Sequence, residues 1–206
     1  MARLSRQFYA QGTLEAAQNL LGKYLIRRLK GETLAGRIVE TEAYVGRCDK
    51  ACHAYQYRRT ARTETLFAPP GTAYIYLIYG MYHCLNFVTE PEGEPAAVLL
   101  RAIEPVAGVE TMARLRYGDK PLTPYRRKNF LNGPGKVCRA LALTRAENGL
   151  DLTGDTLFLC DGPEDAGLSP HSVPPGESIV SGPRIGVDYA EEARDFPWRF
   201  RLMKED

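Results

Sequence analysis

The strongest restriction on the fold comes from residues 76–86, which read Tyr-Leu-Ile-Tyr-Gly-Met-Tyr-His-Cys-Leu-Asn. Tyr, Ile and Leu alternate on either side of Gly80, a pattern that indicates two β-strands joined by a tight turn. Such a hairpin presents Tyr79 and Met81 at its tip. A bulky side chain on a rigid tip can wedge between stacked bases through the minor groove, so the segment raises a nucleic-acid hypothesis. The alternative is half-buried packing surface, which aromatic-rich strands usually form.

A second predicted strand, across residues 37–46, carries two acidic side chains among β-branched residues that favour an extended backbone. Because residues two apart on a strand point to the same face, Glu40, Glu42 and Tyr44 should share one side. A carboxylate held there, near aromatic walls that exclude water, can act as the general base for a hydrolytic water. The alternative is a solvated strand face with two surface acids.

Length and composition favour one domain. The chain has 206 residues, enough for a single domain, 1–206, with a sizeable core. No apolar run approaches the roughly 20 residues of a membrane-spanning helix, and the first residues lack the apolar core of a signal peptide. The five cysteines have no disulfide-framework spacing, which fits a reducing compartment. We therefore expect a cytoplasmic protein that does not contact a membrane.

Charge is distributed unevenly along the chain. Residues 1–140 hold 21 Lys and Arg against 12 Asp and Glu, whereas residues 141–206 hold 6 against 13, so the two parts carry +9 and −7. This division predicts one face that attracts a polyanion and another that is left to solvent. The basic clusters are Arg114, Arg116, Lys120, Arg126, Arg127 and Lys128, and a smaller set of Arg58, Arg59 and Arg62. Solubilising charge is the ordinary alternative for either cluster.

The remaining pattern predicts an α+β fold. Thr13 is expected to cap a first helix that ends at Gly22. Further helices are predicted at 108–115 and 136–143, and strands at 24–29, 33–44, 73–79, 82–89, 96–103, 156–160, 184–187 and 198–202. The Pro-, Gly- and Ser-rich stretch 161–182 indicates a surface loop. Hairpins with helices set apart along the chain favour a mainly antiparallel, curved sheet with surrounding helices and a protruding hairpin.

Arg101 is the one charge within predicted strand 96–103. A buried arginine needs a partner. Glu42 is the candidate, which would bring two strands together around a cleft.

Five sequence blocks, with His53 and Asn86 between them, resemble the alkyladenine DNA glycosylase family, the mammalian-type 3-methyladenine DNA glycosylases. The match runs in order from about residue 20 to 202. The blocks are Val39-Glu-Thr-Glu-Ala-Tyr, Pro70-Gly-Thr-Ala-Tyr-Ile-Tyr-Leu-Ile-Tyr-Gly-Met-Tyr, Val98-Leu-Leu-Arg-Ala-Ile-Glu-Pro, Gly133-Pro-Gly-Lys and Arg184-Ile-Gly-Val.

The resemblance implies a bacterial-sized, nucleoid-associated monomer that binds double-stranded DNA, flips a damaged purine out and hydrolyses its N-glycosidic bond without metal, cofactor or lyase chemistry. Glu42 matches the general base that activates water. Arg101 and the backbone carbonyl of Ile185 match the groups that hold this water. Tyr79 matches the residue that fills the vacated place in the duplex, with Met81 next to it.

The resemblance also implies a base pocket. Tyr44, His53 and Tyr76 match the residues that stack on and hydrogen-bond to the extruded base. Asn86 matches the side chain that rejects guanine by crowding its exocyclic amine. Residues 47–50 and the segment 89–95 depart from the usual family pattern, so the lesion preference of this chain is expected to differ from that of its relatives.

Three other interpretations remain open. Cys48, Cys52 and His53, with His83 and Cys84 elsewhere, have the chemistry of zinc ligands, although no second pair completes a site. A catalytically silent module could bind damaged DNA with the same hairpin wedge. A hydrolase of free nucleosides would not need the aromatic tip.

Overall fold

One open sheet of eight antiparallel strands carries the rest of the molecule. The computed structural model describes residues 3–173 and 175–204. The strands are Tyr24–Leu29 (β1), Glu32–Val45 (β2), Ala73–Ile78 (β3), Tyr82–Val88 (β4), Ala96–Ala107 (β5), Leu157–Cys160 (β6), Glu177–Gly182 (β7) and Arg199–Lys204 (β8). Their order is β3-β4-β5-β2-β1-β6, and β8 pairs with both β2 and β7. The expected α+β fold, a single domain built on an antiparallel sheet, is confirmed.

Two tight turns connect the predicted hairpins. Lys30 and Gly31 join β1 to β2 with φ values of 49° and 84°, and Tyr79 and Gly80 join β3 to β4 with values of 53° and 69°. Two successive left-handed residues form the kind of turn that matches the twist of antiparallel strands. Glycine adopts this conformation freely, whereas a tyrosine does so at a cost in free energy. The backbone at the second tip is therefore held in an unfavourable conformation.

Five short α-helices and five single 3₁₀ turns complete the fold of the described residues. The α-helices are Arg6–Tyr9 (α1), Thr13–Asn19 (α2), Val109–Tyr117 (α3), Pro124–Lys128 (α4) and Pro134–Ala140 (α5). The predicted cap at Thr13 is wrong, because the helix begins after Gly12 and the Thr13 hydroxyl instead donates to Glu90 at 2.5 Å. Nor does the helix reach Gly22: α2 ends at Asn19. Within the described ranges, no helix has the length and apolar character needed to cross a membrane.

The two faces of the sheet have different partners. Since neighbouring residues on a strand point to opposite faces, Ala73 and Ile75 of β3 enter the main core, whereas Tyr74 and Tyr76 enter a second, smaller cluster. The main core contains apolar residues from α2, α3 and α5. The second cluster includes Leu66 and Phe67 of the short 3₁₀ helix Glu64–Phe67, and Tyr44 and Tyr76, two of the residues predicted for a base pocket, pack against it.

The pairing between β2 and β5 is irregular where these strands carry their charged residues. Register shifts occur between Ile38 and Glu40 and again between Glu40 and Thr41. At the second shift Glu40 pairs with Ala102 and Thr41 with Leu100. Arg101, which lies between these two residues on β5, therefore has no pairing partner on β2. Bulges of this kind often reorient side chains beside functional sites.

Two predicted segments are wrong. The stretch 184–187 is not a strand, because side-chain and backbone contacts described below fix it in place of a strand ladder. The stretch 161–182 is not only a loop, since its last part forms β7 against β8. In addition, the basic loop between α3 and α5 contains a short helix, α4, capped by the Thr123 hydroxyl.

Candidate active site

A cavity of about 420 Å³ opens between the β3–β4 hairpin, strands β2 and β5, and the segments 51–53 and 185–189. Most residues that the sequence singled out line it: Tyr44, His53, Tyr76, Tyr79, Asn86, Arg101 and Ile185. Two do not. Glu42 is buried behind the wall, and Met81 lies on a separate groove between the hairpin and α5. The predicted residues therefore converge on one place, while their roles remain predictions.

Glu42 has no solvent exposure, yet both its carboxylate oxygens have donors. The backbone N–H of Ile185 donates to Oε1 at 2.8 Å, and the Tyr44 hydroxyl donates to Oε2 at 2.8 Å. Nη1 of Arg101 lies 3.3 Å from Oε2. Burial and then the charge of Glu42 raise the pKa of Tyr44 well above its ordinary value, so the hydroxyl keeps the proton that it donates. All three donor residues line the cavity, which leaves the carboxylate only one layer behind it.

The predicted partnership of Arg101 with Glu42 is confirmed and extends further. Nε of Arg101 donates to Glu40 at 2.9 Å, and Nε of Arg199 donates to the same oxygen at 2.6 Å. Burial alone would lower the pKa of Arg101, but the charges of Glu42 and Glu40 outweigh it, and the net shift is upward. Arg101 is thus a fixed cation between two carboxylates at the cavity wall. Glu40, Glu42 and Tyr44 share one side of β2, as predicted.

A buried ion pair that sequence reasoning missed holds three walls of the cavity together. Arg184 and Asp49 have fully buried side chains and form two hydrogen bonds, of 2.5 and 2.8 Å. Arg184 also donates to the carbonyls of Ala43 at 2.8 Å and Ala193 at 3.0 Å. The pair therefore ties β2, the 49–53 segment and the 184–193 segment to one another. This fixes the segment whose next N–H, that of Ile185, reaches the buried carboxylate.

The sequence drew attention to the surroundings of each residue of this pair, but not to the pair itself. Asp49 stands in a segment where the chain departs from the family pattern, and Arg184 opens a matched block. Nothing in the spacing of residues 49 and 184 links them, so only the fold brings them together.

His53 and two tyrosines form the aromatic wall of the cavity. The His53 ring lies edge-on to Tyr76 with centroids 4.7 Å apart, and its Nδ1 is 3.2 Å from the Tyr74 hydroxyl. Nε2 is 3.4 Å from a guanidinium nitrogen of Arg62. Burial, followed by the charge of Arg62, lowers the pKa of His53 to about 4. His53 is therefore neutral near pH 7 and is a poor proton donor to a leaving base.

Asn86 lies in the cavity wall with its amide nitrogen held by the sheet. Nδ2 donates to the carbonyls of Tyr74 at 3.1 Å and Cys84 at 3.3 Å. Because both hydrogens are engaged and the side chain is buried, its position is well fixed. A rigid group at this depth suits the predicted role in rejecting guanine, which stays a prediction.

The hairpin tip presents large apolar side chains to solvent. Tyr79 is 81% exposed and Met81 67% exposed, and the turn is closed by an N–H of Met81 donating to the carbonyl of Ile78 at 3.2 Å. Tyr79 stands at the rim of the cavity, whereas Met81 faces the other side of the hairpin. Exposed apolar groups on a backbone held in an unfavourable conformation are typical of a functional contact.

The zinc interpretation finds no support in the geometry. Among residues 3–173 and 175–204, no three His, Cys, Asp or Glu side chains lie close enough together to hold a metal ion. Cys48 is exposed, whereas Cys52 and Cys84 are buried free thiols.

Comparison with known proteins identifies the family of the chain. Residues 7–206 match the family profile described as Methylpurine-DNA glycosylase. A Clostridium perfringens (strain SM101) protein is 51% identical over 203 residues, covering 97% of this chain and 95% of its own length. Proteins of Alkaliphilus oremlandii (50% identical; 97% and 95% covered) and Bacillus cytotoxicus (52%; 94% and 92%) are similarly close. All three carry 3-methyladenine DNA glycosylase as a provisional designation. The chain belongs to the methylpurine-DNA glycosylase family, and it is a base-flipping DNA repair enzyme that hydrolyses N-glycosyl bonds in alkylation-damaged DNA.

Proposed function

We propose that this glycosylase removes alkylated or deaminated purines of the 3-methyladenine, ethenoadenine and hypoxanthine type from double-stranded DNA and leaves an abasic site. The observation that carries the proposal is the Glu42 carboxylate. It is fully buried, it accepts from three donors, and the residues of all three donors line a cavity walled by tyrosines. A carboxylate fixed in this way is suited to bind one water and take its proton.

The cavity suits a purine that has left the base stack. Tyr44 and Tyr76 are both cavity-lining aromatic residues whose rings can stack on a flipped base, and His53 can hydrogen-bond to its edge. Tyr79 stands exposed at the rim, where it can occupy the space that the base vacates and so offset part of the unstacking cost. Damaged purines are the easiest to extrude, because their stacking or pairing is already weakened.

Hydrolysis then follows from the position of the carboxylate. The glycosidic bond between C1′ and the purine nitrogen breaks, its electron pair leaves with the base, and positive charge develops on the sugar. Glu42 stabilises that charge and takes a proton from the water whose oxygen bonds to C1′. Arg101 holds the carboxylate in place. Water can approach the carboxylate beside Ile185, because that residue is 49% exposed and lines the cavity while its N–H bonds to Oε1.

The product is an abasic site in an intact strand. Among the described residues no lysine lines the cavity, so strand nicking is not expected. We also propose, from the family resemblance, that the enzyme acts as a monomer.

Base release from defined duplexes tests the proposal. Purified protein is incubated with duplexes carrying hypoxanthine, ethenoadenine or 7-methylguanine, and with methylated DNA that contains 3-methyladenine. Released base is measured directly and strand nicking before and after alkali. Glu42→Gln is expected to lower the single-turnover rate by about 10²- to 10⁴-fold. Glu40→Gln removes a charge from the same network but not from the layer behind the cavity, and is expected to cost about tenfold or less.

The second candidate, a silent module that binds damaged DNA, predicts a different result. It would bind a lesion-containing duplex through the hairpin, yet the wild-type protein would release no base from any of these substrates. Equal rates for Glu42→Gln and the wild type would instead overturn the assignment of Glu42.

A further inference from the structure

The two tyrosines of the base pocket each have an arginine against the ring. The guanidinium carbon of Arg184 is 4.7 Å from the Tyr44 ring centroid, and that of Arg62 is 5.3 Å from the Tyr76 centroid. Neither arginine lines the cavity, so both cations lie outside the space for the base. They differ in their partners. Arg184 is neutralised by Asp49, whereas no described carboxylate lies within ion-pair distance of Arg62.

Arg62 is therefore the uncompensated cation at the pocket wall. It lies in a neighbouring groove that shares His53 with the base cavity, and it contacts Nε2 of that histidine at 3.4 Å. If Arg62 donates to Nε2, the ring proton is on Nδ1, where it donates to the Tyr74 hydroxyl. With a pKa of about 4, His53 adds no charge of its own near pH 7. The field that a flipped base feels from this side is that of Arg62.

We propose that Arg62 is a specificity-determining residue that biases the site towards neutral purine lesions and against cationic ones. The inference rests on the proposed function. An N-alkylated purine such as 3-methyladenine or 7-methylguanine is a cation, which a guanidinium behind Tyr76 repels, and the same guanidinium competes for the negative face of that ring. Hypoxanthine and ethenoadenine are neutral and bind without this repulsion.

The chemical step acts in the same direction. When the bond from C1′ to a neutral purine breaks, the electron pair leaves negative charge on the base, and a nearby cation stabilises it. A cationic purine leaves as a neutral molecule and gains nothing comparable. Specificity depends on the ratio of the kcat/KM values for the two lesions. Arg62 raises kcat/KM for neutral lesions and lowers it for cationic ones.

The effect should be moderate, because Arg62 is solvent-exposed and its field is screened. A cation–π contact at an exposed site is worth about twofold to fivefold in an equilibrium. With opposite changes for the two classes, Arg62→Gln is expected to shift the ratio of neutral to cationic excision by about tenfold towards the cationic lesions.

Single-turnover base release tests this inference, with the rate measured against enzyme concentration for hypoxanthine and ethenoadenine on one side and 3-methyladenine and 7-methylguanine on the other. Arg62→Lys keeps the charge and should keep most of the wild-type ratio. Arg59→Gln is the matched control. Arg59 lies in the same segment but pairs with Glu64 and stacks on Phe67, which does not line the cavity, so its loss should leave the ratio unchanged.

Arg62→Gln also removes a charge that lowers the pKa of His53, so the ratio is compared at pH 7 and pH 8.5. A shift of the ratio at both pH values supports a direct electrostatic effect of Arg62. A shift confined to pH 7 assigns the effect to His53 and overturns the proposal. So does a change of equal size and sign in both lesion classes, which is the expected result of lost phosphate contact.

Either lesion class alone can test the inference, because Arg62→Gln is expected to change the release rates of the two classes in opposite directions. If the wild-type enzyme releases one class only, a decrease for a neutral lesion or an increase for a cationic one supports the inference, and the reverse overturns it. If the wild type releases no base from any substrate, the proposed function fails and this inference fails with it. Normal release with an unchanged ratio in Arg62→Gln rejects only the role of Arg62.

Discussion

Tyr44 contributes to both proposed tasks of the site, which are stacking on the flipped base and positioning of Glu42. Its ring belongs to the wall that a flipped base would stack on, and its hydroxyl donates to Glu42 at 2.8 Å. Tyr76 offers a matched comparison, since its ring lines the same cavity but its hydroxyl interacts with Cys84 and not with the carboxylate. The pair separates stacking from the orientation of Glu42, the proposed general base.

We predict that Tyr44→Phe lowers the single-turnover rate of base release about tenfold, because a hydrogen bond to a charged group is lost while the ring remains. The affinity for a duplex with an abasic-site analogue should change less than twofold. Tyr76→Phe should lower the rate by threefold or less. Equal losses in the two variants would mean that the Tyr44 hydroxyl does not orient Glu42.

At the residue scale, the sequence predicted those features that follow from a local pattern within one strand. The period of two placed Glu40, Glu42 and Tyr44 on one face, and the lone charge in an apolar strand required a partner. It could not predict the Arg184–Asp49 pair or the contact of Arg62 with Tyr76. Those contacts join residues that no periodicity relates, and each depends on how a loop crosses the sheet.

At the scale of elements, strands with alternating apolar residues were predicted well and the segments that side chains fix were not. Residues 184–187 have the composition of a strand, but Arg184 and the N–H of Ile185 bond to Asp49 and Glu42, leaving no ladder. Strand β7 lacks a clear alternation because it pairs only with β8 and no residue in it is fully buried. Local propensity had little to detect there.

The buried pair supports the element that carries His53. We predict that Asp49→Asn lowers the free energy of unfolding by about 3–5 kcal/mol, since it leaves the Arg184 guanidinium buried and without a counter-charge. Glu64→Gln breaks the exposed pair with Arg59 and should leave the free energy of unfolding nearly unchanged, because solvent screens that pair. Urea denaturation followed by circular dichroism measures both. A cost below about 1 kcal/mol for Asp49→Asn would contradict the structural importance of the pair.

The hairpin tip makes its own prediction. Tyr79→Ser should lower base release from duplex DNA at least tenfold, because the vacated place in the stack is no longer filled. Release of the same lesion from single-stranded DNA should fall much less. Tyr57→Ser is the control, because Tyr57 is also exposed and also has a positive φ, of 59°, but lies outside the cavity rim. Equal losses on duplex and single strand would remove the wedge role.

At the scale of the whole molecule, the fold brings basic residues from the first part of the chain against acidic residues from the last part. Cations from the first part pair with acids from the last: Arg3 with Asp155, Arg6 with Asp151, Lys23 with Asp161, Arg27 with Glu147, Arg37 with Glu177 and Lys50 with Glu191. The predicted division into a basic face and a solvated acidic face is therefore wrong in part, because many of these acids neutralise the first part. The exposed cations left over are the ones available to phosphates.

Arg127 and Lys128 of α4 belong to that remainder, since both are exposed and no described carboxylate pairs with either. If they contact DNA phosphates, the double variant Arg127→Gln/Lys128→Gln should weaken binding of damaged and undamaged duplexes alike. The slope of log K against log salt should fall by about 2, close to one for each lost contact. The double variant Arg6→Gln/Lys23→Gln removes the same charge from residues already paired with acids, and should change the slope by less than about 1. Equal slopes for the two double variants would place the phosphate path elsewhere on the surface.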